Sequence, residues 1–154
     1  MKGMKLPENL PVIEDVSPLL ERARVMEEDI EGVRIVGAFL EEANLSALTF
    51  KGCVLEGCNL QYINCDGSSW KDVQMQECNL QRAYLSQCRL QKTQWTHCDL
   101  RLANLFQTSL KGMDLSTCEL EGFLVSDTFA ELAGAKISAL QALEVVRLLG
   151  LEVV

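Results

Sequence analysis

Seven cysteines and one histidine hold most of the chemistry this chain offers: Cys53, Cys58, Cys65, Cys78, Cys88, Cys98, Cys118 and His97. Thiolates are nucleophiles and soft metal ligands, so a metal or redox centre is the first chemistry to weigh. Cys58, Cys78, Cys98 and Cys118 fall twenty residues apart, so what they can do depends on where the chain puts every twentieth residue. His97 has no second histidine to work with. Carboxylates such as Glu41, Glu42, Asp72 and Glu77 become acids or bases of use only where the fold holds them together.

A period of five positions all of these groups. Every fifth residue from 40 to 125 reads Leu40, Leu45, Phe50, Leu55, Leu60, Cys65, Trp70, Met75, Leu80, Leu85, Leu90, Trp95, Leu100, Leu105, Leu110, Leu115, Leu120 and Val125. Twelve of these eighteen centres are leucine and none is charged; Ile30 and Ile35 extend the frame upstream. Two residues before each centre the chain prefers small side chains, including six of the seven cysteines, with Leu48, Ile63, Met113 and Phe123 as the exceptions. Just before the centre stand Asn44, Asn59, Asn64, Asn79, Asp99, Asn104 and Asp114.

Neither common element explains a period of five. On an α-helix five residues advance about 500°, so the centres would spiral over every face. On a flat strand an odd step flips side, so alternate leucines would meet solvent. All centres face inward only if the chain turns a corner once per repeat. Four corners close a coil of about twenty residues, and residues n and n+20 then stack about 4.8 Å apart. The predicted columns are Leu40, Leu60, Leu80, Leu100, Leu120; Leu45, Cys65, Leu85, Leu105, Val125; Ile30, Phe50, Trp70, Leu90, Leu110; and Ile35, Leu55, Met75, Trp95, Leu115. Trp70 follows small residues at Cys65, Ser68 and Ser69, as close packing requires. Gly52, Gly57, Gly67, Gly112 and Gly122 fall two residues after a centre, where glycine permits a positive φ. Corners lacking glycine are expected to take type I geometry.

This placement answers the first question. Cysteines in a straight inward column, about 4.8 Å per step, do not form the tetrahedral cluster zinc takes, and parallel Cβ vectors suit a disulfide poorly. They read as small buried hydrophobes. His97 points outward by phase, with no serine or cysteine nucleophile beside it, so no enzymatic activity, metal or other cofactor is expected.

The pattern Ala/Cys–Asn/Asp–Leu–polar–polar resembles the pentapeptide-repeat family. Clear copies are Ala43-Asn44-Leu45, Cys58-Asn59-Leu60, Cys78-Asn79-Leu80, Cys98-Asp99-Leu100 and Ala103-Asn104-Leu105. The resemblance covers residues 26–137 and implies an all-β fold, a right-handed quadrilateral β-helix of about five coils. It implies little about activity. The characterised members are mainly quinolone-resistance proteins, which resemble DNA in size and charge, bind gyrase, and dimerise through a C-terminal helix.

A solenoid must cover its ends. Residues 1–25 are read as an N-terminal cap, with Ser17-Pro18 opening a short helix. Downstream the frame slips by two, so that Ala130-Glu131-Leu132 and Ala135-Lys136-Ile137 look like shifted repeats. Residues 138–154 are expected to form a helical cap and tail. Ser138 and Gln141 make a capping-box pattern, and Leu140, Leu143, Val146 and Leu149 supply apolar positions. That helix either plugs its own last coil or joins two copies into a homodimer.

Composition narrows the function. The 154 residues suit one domain, 48% hydrophobic but only 6% aromatic. The net charge of −8, with no basic stripe along the sequence, argues against direct nucleic-acid binding. No export signal and no membrane-length apolar run are visible, and an odd number of cysteines fits a reducing cytoplasm. One wall differs from the polar remainder: Tyr62, Tyr84, Leu102 and Leu124 point outward, Phe106 lies at the adjoining corner, and Arg82 and Arg101 border them. An apolar patch ringed by arginine reads as a protein-contact surface, unless a terminal segment covers it. The expected function is a non-enzymatic protein–protein interaction scaffold of unknown partner, with a DNA-mimicking binder of gyrase or another topoisomerase as the alternative.

Overall fold

A computed structural model describes residues 5–154. Residues twenty apart lie side by side along two parallel sheets. One contains β1 (Val12–Ile13), β3 (Arg34–Val36), β5 (Val54–Glu56), β7 (Gln74–Gln76) and β9 (Gln94–Thr96), in that order. The other contains β2 (Ile30–Glu31), β4 (Thr49–Lys51), β6 (Ser69–Lys71) and β8 (Arg89–Gln91). Two further columns are held by single bridges, Phe39–Asn59–Asn79–Asp99–Glu119 and Asn44–Asn64–Tyr84–Asn104–Leu124. The strands are short because each offers one inward side chain between two outward ones, as in Ser69–Trp70–Lys71, before the chain turns.

The columns read from the sequence are observed as far as Leu90 and Trp95 on the two sheets, and along the two bridge columns. Phe50 pairs with Trp70 and Trp70 with Leu90; Leu55 pairs with Met75 and Met75 with Trp95. Centres and the positions two before them form one continuous core, and Leu80, Leu100, Leu105 and Leu110 are wholly buried. Phe50 and Trp70 stack with ring centroids 4.1 Å apart.

The corners depart from expectation. From Gly32 to Gly112 the residue two after the centre is left-handed whether or not it is glycine: φ is 61° at Gly52, and it is positive too at Glu42 (60°), Ala47 (59°), Tyr62 (55°), Arg82 (56°) and Leu102 (59°). Type I geometry is therefore not what forms at these glycine-free corners, whereas Thr117 in the Leu115–Cys118 turn has no positive φ. The reason lies in the ladder, where the amide of that residue donates to the rung above, as Ala47 does to Asp66 at 3.0 Å. A corner that turned differently would lose this bond. The asparagines and aspartates before the centres help make the turn. In all seven cases the side-chain oxygen accepts the backbone N–H two residues on, for example Asn59 Oδ1 from Gln61 at 3.1 Å.

At the upstream end, β1 adds a strand beside β3, and α1 (Ser17–Met26) lies over the first turn. Pro18 sits in its opening turn, but Val16 rather than Ser17 holds the N-cap position, and Asp15 accepts the Ser17 N–H. Ala23 is buried, Leu19 and Leu20 pack on the core, and Arg24 donates to the Asn44 carbonyl at 2.8 Å.

Downstream the predicted slip of two is present: Asp114 bridges Lys136, twenty-two residues on. Residues 130–132 take a 3-10 turn, yet both shifted segments join the ladder: Leu110 N–H donates to the Glu131 carbonyl at 2.9 Å and Leu115 N–H to the Lys136 carbonyl at 2.8 Å. Where the register changes, no backbone hydrogen bond joins β8 or β9 to residues 109–117 among the described residues. Two threonine hydroxyls bridge the gap, Thr108 accepting from Cys88 N–H and Thr117 from His97 N–H, both at 3.0 Å.

Helix α2 (Ala142–Leu148) closes the end. Ser138 and Gln141 make the reciprocal bonds of a capping box, at 2.8 and 3.2 Å. Gln141 also donates its side-chain amide to the carbonyls of Leu115 and Cys118, at 2.7 and 2.6 Å. The helix presents Val145 and Leu148 to the core, while Leu140 and Leu149 are exposed, Leu143 lies at the margin and Val146 is half-buried. No helix among the described residues is long and apolar enough to cross a membrane.

Candidate functional site

All seven cysteines are buried and unpaired. Each lies inward from a corner, and most point their Sγ at a centre carbonyl of the preceding rung: Cys58 at Ile35, Cys78 at Leu55, Cys98 at Met75 and Cys118 at Trp95, all within 3.4 to 3.6 Å. Thr93 and Thr108 make the same contact with hydroxyls, onto Trp70 and Leu85. The column is therefore a row of weak donors facing carbonyls. Burial pushes the thiols of Cys53, Cys65, Cys88 and Cys118 up. Cys58 is raised chiefly by its hydrogen bond with Cys78. For Cys78 the contact with Cys58 lowers the value, but the contact with Cys98 and burial outweigh it, leaving the thiol at about 12. Such thiols stay protonated near neutrality and are poor nucleophiles. No cluster of three or more His, Cys, Asp or Glu side chains able to hold a metal occurs among the described residues.

His97 lies on the outside at a left-handed corner (φ 50°). Glu41, Glu42 and Glu77 are exposed as well, and Asp72 is half-buried.

Glu131 is the titratable group that sequence reasoning missed. It is only 3% exposed, yet charged. Its Oε2 accepts the backbone N–H groups of Ser126 (2.8 Å) and Gln107 (3.0 Å), and its Oε1 accepts the Ser126 hydroxyl (2.7 Å). Burial is the largest single influence and raises its carboxyl; these three donors together outweigh it and hold the carboxyl below the usual glutamate range. Glu131 thus ties the shifted C-terminal segment to the solenoid. The slip of the repeat frame marks the place, but nothing in residue type marks the role.

The outward residues singled out from the sequence fall on neighbouring columns. Tyr62, Arg82 and Leu102 occupy one corner position on successive rungs, each N–H bonded to the rung above. Tyr84, Asn104 and Leu124 are consecutive members of the adjoining bridge column, and Phe106 N–H is held by Asn104 Oδ1 at 3.0 Å. Tyr62, Tyr84, Leu102, Phe106 and Leu124 are all partly open to solvent. The two arginines differ. Arg82 makes no ion pair among the described residues, whereas Arg101 is clamped on Asp99 (2.7 Å) and reaches Glu119 (3.5 Å). The Asp99 carboxyl is accordingly lowered: burial acts to raise it, and the bonds from Arg101 and Gln81 prevail.

The remaining outward surface is not uniformly polar, contrary to expectation. Phe39, 88% exposed, stands where the repeat usually places asparagine, with Val36 exposed close by. An aromatic at that repeat position is the signal that marks it.

Two family models match: the Pentapeptide repeat region over residues 48–124 and Pentapeptide repeats (8 copies) over residues 29–61. No curated protein matches the chain. Among solved structures it is similar to QnrB1, a plasmid-mediated fluoroquinolone resistance protein, in a trypsin-treated R167E form, at 17% identity and a TM-score of 0.40, covering 82% of this chain and 90% of that one. It is also similar to the pentapeptide repeat protein Rfr23 from the cyanobacterium Cyanothece 51142, at 15% identity and a TM-score of 0.41, covering 80% and 100%. A third likeness is to HetL, a pentapeptide repeat protein involved in heterocyst differentiation regulation from the cyanobacterium Nostoc sp. strain PCC 7120, at 19% identity and a TM-score of 0.23, covering 71% and 60%. With the five-residue period, the twenty-residue ladder and a family model spanning half its length, the chain belongs to the pentapeptide-repeat family.

Proposed function

We propose that the protein is a non-enzymatic protein–protein interaction scaffold of the cytoplasm, built on a right-handed, four-sided solenoid of about five coils. The observation that carries this reading is the gathering of Tyr62, Tyr84, Leu102 and Leu124 on two adjoining columns of a backbone ladder, with Phe106 at the corner beside them. Aromatic and aliphatic side chains held on a rigid frame lose little entropy on binding, which favours recognition of a complementary protein surface. Arg82, free of ion pairs among the described residues, adds a donor at the rim. A homodimer through the C-terminal segment is part of the same proposal, since Leu140, Leu149, Leu151 and Val153 lie open beside α2. A DNA mimic would need acid spread along the surface, and the exposed Lys71, Arg89, Lys92 and Lys111 weigh against it.

The test compares wild type with a Tyr62→Ser, Leu102→Ser double variant in quantitative affinity capture and light scattering. Loss of specific partners with unchanged thermal stability supports the scaffold; identical partner profiles and mass for the two proteins refute this wall as its contact surface.

A further inference from the structure

The fold assembles a basic face that the linear sequence hides. Lys51 and Lys71 are register partners on adjacent strands, Arg89 pairs in register with Ser69, and Lys71 with Gln91. Lys92 follows at the corner, and Lys111 flanks the buried centre Leu110 one turn further on. All five cations are exposed. Lys51 is committed to Asp29 at 2.7 Å; Lys71, Arg89, Lys92 and Lys111 make no ion pair among the described residues. Asp72 and Glu77 are the two carboxylates in the chain between 69 and 92. A protein of net charge −8 has thus collected four free cations on one side.

We propose that this outer face of β4, β6 and β8 binds an acidic segment of a partner protein. The inference goes beyond the apolar wall and does not depend on it. Charge complementarity selects an anion. Rungs rise by about 4.8 Å, so the cations from Lys71 to Lys111 span about 10 Å, the reach of a short cluster of carboxylates in an extended or helical peptide. The outward residues beside the cations include Thr49, Ser69 and Ser109, whose hydroxyls add donors without bulk, and Gln91, whose amide adds another. The same residues disfavour other polyanions. Single-stranded nucleic acid binds through aromatic stacking platforms, and this face has no outward aromatic ring. An anionic bilayer holds a peripheral protein through inserted apolar side chains together with charge, and the face offers none. A duplex carries charge well beyond the width of this face and would also confront the acidic surface of a chain of net charge −8.

The test uses the full chain and a fluorescein-labelled peptide of glutamate residues, read by anisotropy at about 20 mM and about 200 mM NaCl. Binding at low salt that weakens at least about tenfold at high salt is expected, because exposed charges are screened. Lys71→Glu with Lys92→Glu should abolish it, Lys71→Gln should weaken it, and Tyr62→Ser with Leu102→Ser should leave it intact. The charge-neutral variant keeps the test valid if the double reversal fails to fold. No binding at low salt, or binding indifferent to the lysine substitutions, overturns the proposal. So does tighter binding of an oligothymidylate or of phosphatidylserine vesicles through the same lysines, which would identify a nucleic acid or a membrane as the occupant instead.

Discussion

The indole nitrogen of Trp70 donates a 2.7 Å hydrogen bond to the hydroxyl of Ser68, two residues earlier and wholly buried. Trp95, equally deep in the same core, finds no acceptor for its indole nitrogen among the described residues. Substituting phenylalanine removes similar volume at both sites but different chemistry. At Trp70 it breaks a bond; at Trp95 it removes an unpaired buried donor, which costs about 1–3 kcal/mol to keep. Urea denaturation should therefore find Trp70→Phe more destabilising than Trp95→Phe by about 1 kcal/mol or more. Equal losses would show that packing around the two rings, not donor pairing, sets their contributions.

Corner strain is measurable in both directions. Ala47 is held at φ 59° with its N–H in the ladder. A left-handed conformation costs a residue with a Cβ roughly 1–2 kcal/mol, offset in part by the greater freedom of glycine when unfolded. Ala47→Gly should stabilise the protein by about 0.5 kcal/mol. Gly52→Ala should destabilise it by about 1 kcal/mol, although an added Cβ there meets nothing within 4 Å. Thermal melts with the opposite signs would mean that corner backbone strain is not what these positions feel.

These corners also mark where sequence reasoning ran out. The period of five fixes which side chains go inward, because a buried centre cannot tolerate charge, and so the Phe50–Trp70–Leu90 column could be read residue by residue. It leaves the corner dihedral open, since glycine permits a positive φ without requiring it and the ladder bond that enforces it joins residues nineteen apart, as Ala47 to Asp66. The orientation of α2 was equally hidden. Val145, Val146, Leu148 and Leu149 put apolar groups on more than one side of a seven-residue helix, and Gln141, by gripping the Leu115 and Cys118 carbonyls, decides which side turns in.

The thiols give a direct readout of burial. With Cys58, Cys65 and Cys78 raised well above the ordinary thiol value and all seven side chains buried, Ellman's reagent at neutral pH should label less than one thiol equivalent quickly in the native protein. In guanidinium all seven should react. Fast labelling of several thiols without denaturant would mean that the coils open locally.

Glu131 makes the C-terminal end sensitive to acid. Its carboxyl titrates below the ordinary glutamate range when folded, so the unfolded chain binds the proton first as pH falls. Its contribution is then fully present above the unfolded value, near neutrality, and is lost as pH drops through the folded value. Glu131→Gln should lower stability at pH 7 and flatten the acid limb, so that the two proteins converge in melting temperature as pH falls below the ordinary glutamate range. A constant difference across this range would assign the effect to packing rather than to charge.

Gln141 separates capping from association at the same end. Its amide satisfies two carbonyls of the last coil, at 2.7 and 2.6 Å, so Gln141→Ala leaves both short of a donor and costs about 1–3 kcal/mol. Because the bonds join α2 to the solenoid, the loss should fall on the end first, with faster amide exchange over residues 113–118 than over the Leu80–Leu100 rungs. Leu140, 79% exposed, touches little of its own chain. Leu140→Ser should leave exchange and melting temperature unchanged while lowering the solution mass of any dimer formed there. If Gln141→Ala instead slows nothing and frees nothing at residues 113–118, the helix rests on the coil through Val145 and Leu148 alone, and capping is a matter of apolar contact.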